Sequence, residues 1–238
     1  MDWSPEHAMK AYLDTLHMCK LSSMHDEDEE QRYGMDGSKI IEPQGVELLS
    51  ALAAGNQATR ILDITTSQQL SITPLTLSLA VAAKQTGGQL ICIRPPLQNW
   101  DIDHDHQHDH TYENWDNDPN DVIKLRVGDP CELANDIQHV DFAVIDCTNL
   151  DSSSLRLLSE KLHLNPKGAI IVANNILCRE QGVALIDQLL KGKRGVESSV
   201  TTLPLGSSSG FQLIIKIKFL MGNTQRRRKH KRFFVTID

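Results

Sequence analysis

Apolar positions follow two rhythms along this chain. Up to residue 59 they recur at helical spacing. Ala8, Tyr12, Thr15 and Cys19 fall three or four residues apart, which predicts a helix over 4–19. Ser4 can cap that helix, Pro5 fits its first turn, and Glu6 suits the positive end of its dipole. A second helix starts at Pro43, places Val46, Leu49, Leu52 and Ala53 on one face, and stops at Gly55. Between the two lies a like-charge run, Asp26 to Glu30, followed by Gly34 and Gly37. That stretch reads as a solvated acidic linker over 22–39.

From residue 60 the rhythm becomes strand, helix, strand. Short apolar runs at 60–64, 90–93, 122–127, 140–146 and 169–173 alternate with helical segments at 73–86, 130–137, 154–164 and 180–190. Apolar strands separated by helices predict a parallel sheet buried on both faces, with right-handed crossovers. Two longer runs, 196–203 and 211–219, are joined by Gly206 to Gly210 and read as a closing hairpin. The fold class is therefore α/β: a Rossmann-like, doubly wound, mostly parallel sheet with a C-terminal antiparallel hairpin and N-terminal helices. With that closing hairpin the layout resembles methyltransferase-type sheets more than plain dinucleotide-binding ones.

Two segments stand outside this rhythm. Residues 97–121 hold eight acids, four histidines (His104, His106, His108 and His110) and no Lys or Arg. They have little to bury and read as a disordered insertion. Residues 222–238 hold six bases and one acid, so the other 221 residues carry 18 bases against 30 acids, a net −12. A globally basic nucleic-acid binder is not indicated, and any such contact falls to the tail from Arg226 to Arg232. That run also fits a nuclear import signal. No apolar run reaches the roughly 18 residues of a membrane helix, and Met1 to Pro5 does not open a secretory signal. Five scattered cysteines without a CxxC read as reduced thiols. The expected location is the cytoplasm or nucleus, without membrane attachment.

Particular segments carry a resemblance. Trp3-Ser4-Pro5-Glu6 with Lys10-Ala11-Tyr12, Leu79 to Ala83 ending in Thr86-Gly87-Gly88, and then Cys92-Ile93 resemble a plant family of unknown function with an S-adenosylmethionine-dependent methyltransferase-like fold. The resemblance covers 1–94 and 121–220. It leaves out the acidic linker, the Asp/His-rich insertion and the basic tail, and with the residue pattern it divides the chain into N-terminal helices over 1–56, a methyltransferase-like domain over 57–221 that holds the insertion 97–121, and a basic tail over 222–238. More distantly, the chain is similar to the cation-dependent O-methyltransferases. Their metal-binding Asp matches Asp146, and their Asp-Asn pair falls on Asn174-Asn175.

The resemblance implies S-adenosylmethionine as cofactor, a divalent cation held by Asp146, Asn174 and Asn175, and a small-molecule methyl acceptor. Asp63 would bind the cofactor, and Asp146 would be the catalytic residue. Three departures stand against this. The loop after Asp63, from Ile64 to Ser71, has no Gly, although close backbone approach to the nucleoside favours one. The second strand ends in Arg94-Pro95 where an acid should meet the ribose. An Asp with two Asn supplies one negative charge where the related enzymes have two, and hard cations favour carboxylates. Two readings follow: an S-adenosylmethionine-dependent O-methyltransferase, or a non-catalytic scaffold or ligand sensor with a degraded cofactor site that uses the fold for protein contacts.

Overall fold

The computed structural model describes residues 3–25, 43–66, 72–96, 122–176, 179–191, 196–204 and 211–219. The linker from residue 26, the insertion 97–121 and the tail 222–238 lie outside the described residues.

The elements follow in chain order: α1 (Pro5–His25), α2 (Pro43–Gly55), β1 (Arg60–Ile64), α3 (Pro74–Thr86), β2 (Gln89–Arg94), β3 (Ile123–Val127), α4 (Pro130–Asn135), β4 (Phe142–Asp146), α5 (Ser152–Lys161), β5 (Ala169–Ile176), α6 (Arg179–Leu190), β6 (Val196–Pro204) and β7 (Phe211–Phe219). The strands form one seven-stranded sheet in the order β3-β2-β1-β4-β5-β7-β6. β1 to β5 are mutually parallel, and β7 runs antiparallel to both β5 and β6. This is the doubly wound sheet with a reversed closing strand that the apolar pattern predicts.

Strand periodicity divides the core into two layers. On one face, Ile61, Leu90, Cys92, Phe142, Val144, Ile170 and Val172 pack with Ala11 of α1, Leu49 and Ala53 of α2, and Leu79 of α3. On the other, Leu62, Ile91, Ala143, Ile145 and Ile171 meet Ala134 of α4, Leu155 and Leu158 of α5, and Leu185 and Leu189 of α6.

Several boundaries differ from the sequence expectation. α1 continues to His25, because Leu21 to His25 contains neither Gly nor Pro and the acidic run begins only at Asp26. β4 starts at Phe142, with Val140 forming a separate parallel bridge to Leu164. β5 runs three residues beyond Ala173, through a register shift against β7. β3 is an edge strand with Leu125 and Val127 exposed, so it is not buried on both faces.

The residues that carry the resemblance have structural roles. The Trp3 ring lies on Gly55, where a Cβ would come within 2.4 Å of it, and the Ser4 N–H donates to the Gly55 carbonyl at 2.7 Å. Gly87 closes α3 in the left-handed conformation at φ 64°, which favours Gly. A Cβ on Gly88 would fall 2.3 Å from the Thr59 carbonyl oxygen. At the amino ends of the strands, buried Asp141 accepts from the Thr59 N–H, the Arg60 N–H and the Thr59 hydroxyl, each at 2.9 Å, and from Asn165 at 2.6 Å. Among the described residues no helix is long and apolar enough to cross a membrane.

Candidate functional site

In an open α/β sheet, ligands meet the carboxyl ends of the strands where the strand order reverses. Here that point lies between β1 and β4. Alternation along each strand places Asp63, Arg94, Asp146 and Asn174 on the face that carries α1, α2 and α3. The result is a polar row at the top of an otherwise apolar layer.

Arg94 ends β2 and is 1% exposed. Its guanidinium folds back onto β1. Nη2 donates to Asp63 Oδ2 at 2.7 Å and to Thr76 Oγ1 at 2.9 Å. Nη1 donates to the carbonyls of Asp63 at 3.3 Å and Ile93 at 3.2 Å. The Thr76 hydroxyl donates to Asp63 Oδ2 at 2.9 Å. Thr76 sits in the first turn of α3, whose N-cap is Thr73. One buried ion pair thus joins the ends of β1 and β2 to the start of α3. A charge this buried needs such partners, since an unpaired ion in the interior is strongly disfavoured.

Asp146 ends β4 and is partly exposed. Its Oδ1 accepts from the Thr148 N–H at 3.1 Å, the Thr148 hydroxyl at 2.6 Å and Asn175 Nδ2 at 2.9 Å. Its Oδ2 accepts from the Thr66 hydroxyl at 3.3 Å. Asn175 takes a left-handed backbone at φ 57°, a conformation Asn tolerates better than most residues. It sits in the register shift of β5, and its amide reaches back to Asp146. Asn174 pairs in register with Asp146, but its side-chain oxygen accepts from Gln212 on β7. Asp146 and Asn175 are therefore brought together, while Asn174 turns to a different partner and Asp63 is held by Arg94. Among the described residues no cluster of three or more His, Cys, Asp or Glu could hold a metal ion.

Two buried thiols flank this row. Cys92 is pushed up to about 12 by burial and then by the Asp63 charge, with Arg94 opposing. Cys147 is pushed up to about 12 by burial and then by Asp146. Neither offers a thiolate nucleophile near neutral pH.

Sequence reasoning named Asp63 and Arg94 separately and missed that they pair. The signal was available: both fall on the α3 face of adjacent strands. Thr76, Thr66 and Gln212 carried no signal of their own. Residues 67–71 of the loop after β1 lie outside the described residues, as do Cys178 and the histidines of the insertion.

Strand order, helices on both faces and a polar row at the switch point define a Rossmann-like, methyltransferase-type α/β fold. The chain belongs to the family described as "Protein of unknown function (DUF1442)", whose sequence profile matches residues 36–238. That match takes in the insertion and the basic tail and begins after the Trp3 to Tyr12 segment. No curated protein matches the sequence. Among solved structures, the chain is similar to a methyltransferase from Geobacter sulfurreducens at 17% identity and TM-score 0.49, over 88% of this chain and 89% of that one. It is also similar to an O-methyltransferase from Bacillus cereus in complex with SAH, at 15% identity and TM-score 0.48, over 87% and 90%. A SAM-dependent O-methyltransferase from Thermotoga maritima matches at 13% identity and TM-score 0.47, over 80% and 68%.

Proposed function

We propose that this protein belongs to the S-adenosylmethionine-dependent methyltransferase superfamily but has its nucleoside end rebuilt as internal structure. In this reading it works as a non-catalytic scaffold or ligand sensor, engaging protein partners or a small ligand. The observation that carries the reading is the buried Arg94–Asp63 pair, 2.7 Å from nitrogen to oxygen. The hydroxyls of a ribose diol donate as well as accept, and their donated hydrogen bonds need an acceptor. Arginine has five N–H donors and no acceptor. The sulfonium and ammonium groups of S-adenosylmethionine favour a nearby carboxylate, yet the Asp63 charge is already matched by Arg94 and its Oδ2 already accepts from Thr76. Freeing Asp63 would break its 2.7 Å ion pair with Arg94 and take a buried carboxylate from its counter-charge.

The divalent cation fits these residues poorly. Asp146 supplies the single carboxylate and already accepts four hydrogen bonds. The amide oxygen of Asn174 is engaged by Gln212.

A second reading keeps catalysis: methyl transfer to an oxygen of a small acceptor, with Asp63 orienting cofactor and Asp146 and Asn175 facing the acceptor. Its support is the partial exposure of Asp146 at the switch point. Methyl transfer rests largely on aligning an in-line attack, so few groups are needed. Calorimetric titration with S-adenosylmethionine and S-adenosylhomocysteine, with and without magnesium, separates the two. The scaffold reading expects no saturable heat at millimolar ligand. Saturable binding, together with methyl transfer that Asp146→Ala abolishes without lowering the melting temperature, establishes the enzyme instead.

A further inference from the structure

The two edges of the sheet are built differently. β3, at one end, is five residues long and carries Lys124 and Arg126. Short length and cationic side chains are the usual means by which an edge resists pairing with another strand. β6, at the other end, has none of these protections. It is nine residues long, Val196–Pro204, and pairs with β7 without a register break from end to end. Its single charge is Glu197, near one terminus, and its single Pro is the last residue. Residues 197–202 are all exposed, including Val200 at 42%. Among the described residues no backbone group of β6 bonds to anything beyond its ladder with β7.

We propose that β6 is a homodimerisation edge. It would pair antiparallel with β6 of a second copy about a two-fold axis through Val200, joining two seven-stranded sheets into one. The sequence of the strand is what selects a second copy. Val200 is its central residue. An antiparallel pair centred there places Ser198 opposite Thr202 and Ser199 opposite Thr201, in both halves. Cross-strand Ser/Thr pairs are favourable neighbours, and an isologous contact requires this self-complementarity. The position of Glu197 falls opposite that of Leu203, so no like-charge pair forms.

The nearest cations, Lys216 and Lys218, lie one strand inward on β7. Equivalent lysines of the two copies would therefore be three strand spacings apart, about 14 Å, beyond the screening length of about 10 Å. The contact also accounts for Val200. It lies beside buried Ile215 on the α6 side of the sheet, and the two-fold would set it against its own copy.

Sedimentation velocity on the full chain, with three variants, tests this. The wild type is expected to sediment as a dimer with a Kd of about 10 μM or tighter. Val200→Lys sets like charges face to face across the axis and should weaken the dimer at least about tenfold, with an unchanged circular dichroism spectrum. Val200→Cys should form a covalent dimer on mild oxidation, because directly opposed Cβ atoms lie about 4.5–5.5 Å apart. Leu157→Cys, exposed on α5, should not. A monomeric wild type overturns the proposal, as does a dimer that Val200→Lys leaves intact. Dimerisation that appears only after residues 222–238 are deleted also overturns it, by showing that the tail occupies this edge in the full chain.

Discussion

Removing the positive half of the Arg94–Asp63 pair should reveal how much of the upper sheet depends on it. Arg94→Met keeps a long unbranched side chain and deletes the charge. Asp63, 1% exposed, would then keep its hydrogen bond from Thr76 but lose its counter-charge. Two unit charges about 4 Å apart attract by about 4 kcal/mol at an effective dielectric of 20. Stranding one ion of a buried pair costs about 3–5 kcal/mol in comparable cases. For a domain of this size, each kcal/mol lowers the melting temperature by about 2–4 °C, so Arg94→Met should melt about 6–20 °C below the wild type. Asp63→Asn with Arg94→Met removes both charges, and an amide oxygen can still accept from Thr76. Replacing a buried pair by uncharged groups is often neutral, so the double variant should recover most of the loss. Urea unfolding followed by circular dichroism gives the cycle, with an expected coupling of about 3 kcal/mol. A single variant that loses less than about 1 kcal/mol, or a double variant whose loss is the sum of the two singles, would refute a paired interior charge.

Other positions test the frame around the site. Asp141→Ala leaves the part-buried N–H groups of Thr59 and Arg60 without their acceptor and should lose about 1–3 kcal/mol in the same unfolding assay. Gly88→Ala drives a Cβ into the Thr59 carbonyl and should be more destabilising than Gly87→Ala, which has open space and pays only the left-handed backbone cost of about 1–2 kcal/mol. Cys92 and Cys147 should resist a thiol reagent at pH 8 until the protein unfolds. Both thiols stand near 12 when folded, against 9.0 for an ordinary thiol, so from pH 9 to 12 the unfolded state binds fewer protons than the native state. Stability therefore falls as pH rises, by about 1.4 kcal/mol per pH unit per thiol. A Cys92→Ala, Cys147→Ala variant should show a correspondingly flatter decline across that window.

The fold was legible because its signals are redundant. Each parallel strand is an apolar run too short for a helix, flanked by helix stops such as Gly87 and strand stops such as Pro95. The crossover rule then leaves few ways to connect them. β3 shows the limit. Ile123, Leu125 and Val127 read as a buried strand, yet Leu125 and Val127 are exposed on the edge strand, and burial depends on neighbours that periodicity does not name. The run of α1 to His25 is a related case: charge density marks a linker from residue 22, while Leu21 to His25 contains no Gly or Pro to break a helix.

The site was less legible because a carboxylate at the end of β1 looks identical whether it awaits a ligand or already has a partner. Asp63 reads as a cofactor residue by its place in the fold. What changes its chemistry is a residue on the neighbouring strand, Arg94, which from sequence alone counts merely as a missing acid. Register resolves the ambiguity. Asp63 pairs with Cys92 and Ile64 with Ile93, so Arg94 stands two positions beyond the partner of Asp63 and on the same face. A long side chain there can return to the carboxylate. Asn174 carries the same lesson: adjacent in sequence to Asn175, it serves Gln212, while Asn175 serves Asp146. A left-handed residue in a register shift separates the two amides, and nothing in the dipeptide itself announces it. Residue type at a strand end identifies where chemistry can occur. The partner on the adjacent strand decides whether that capacity faces a ligand or is used within the fold.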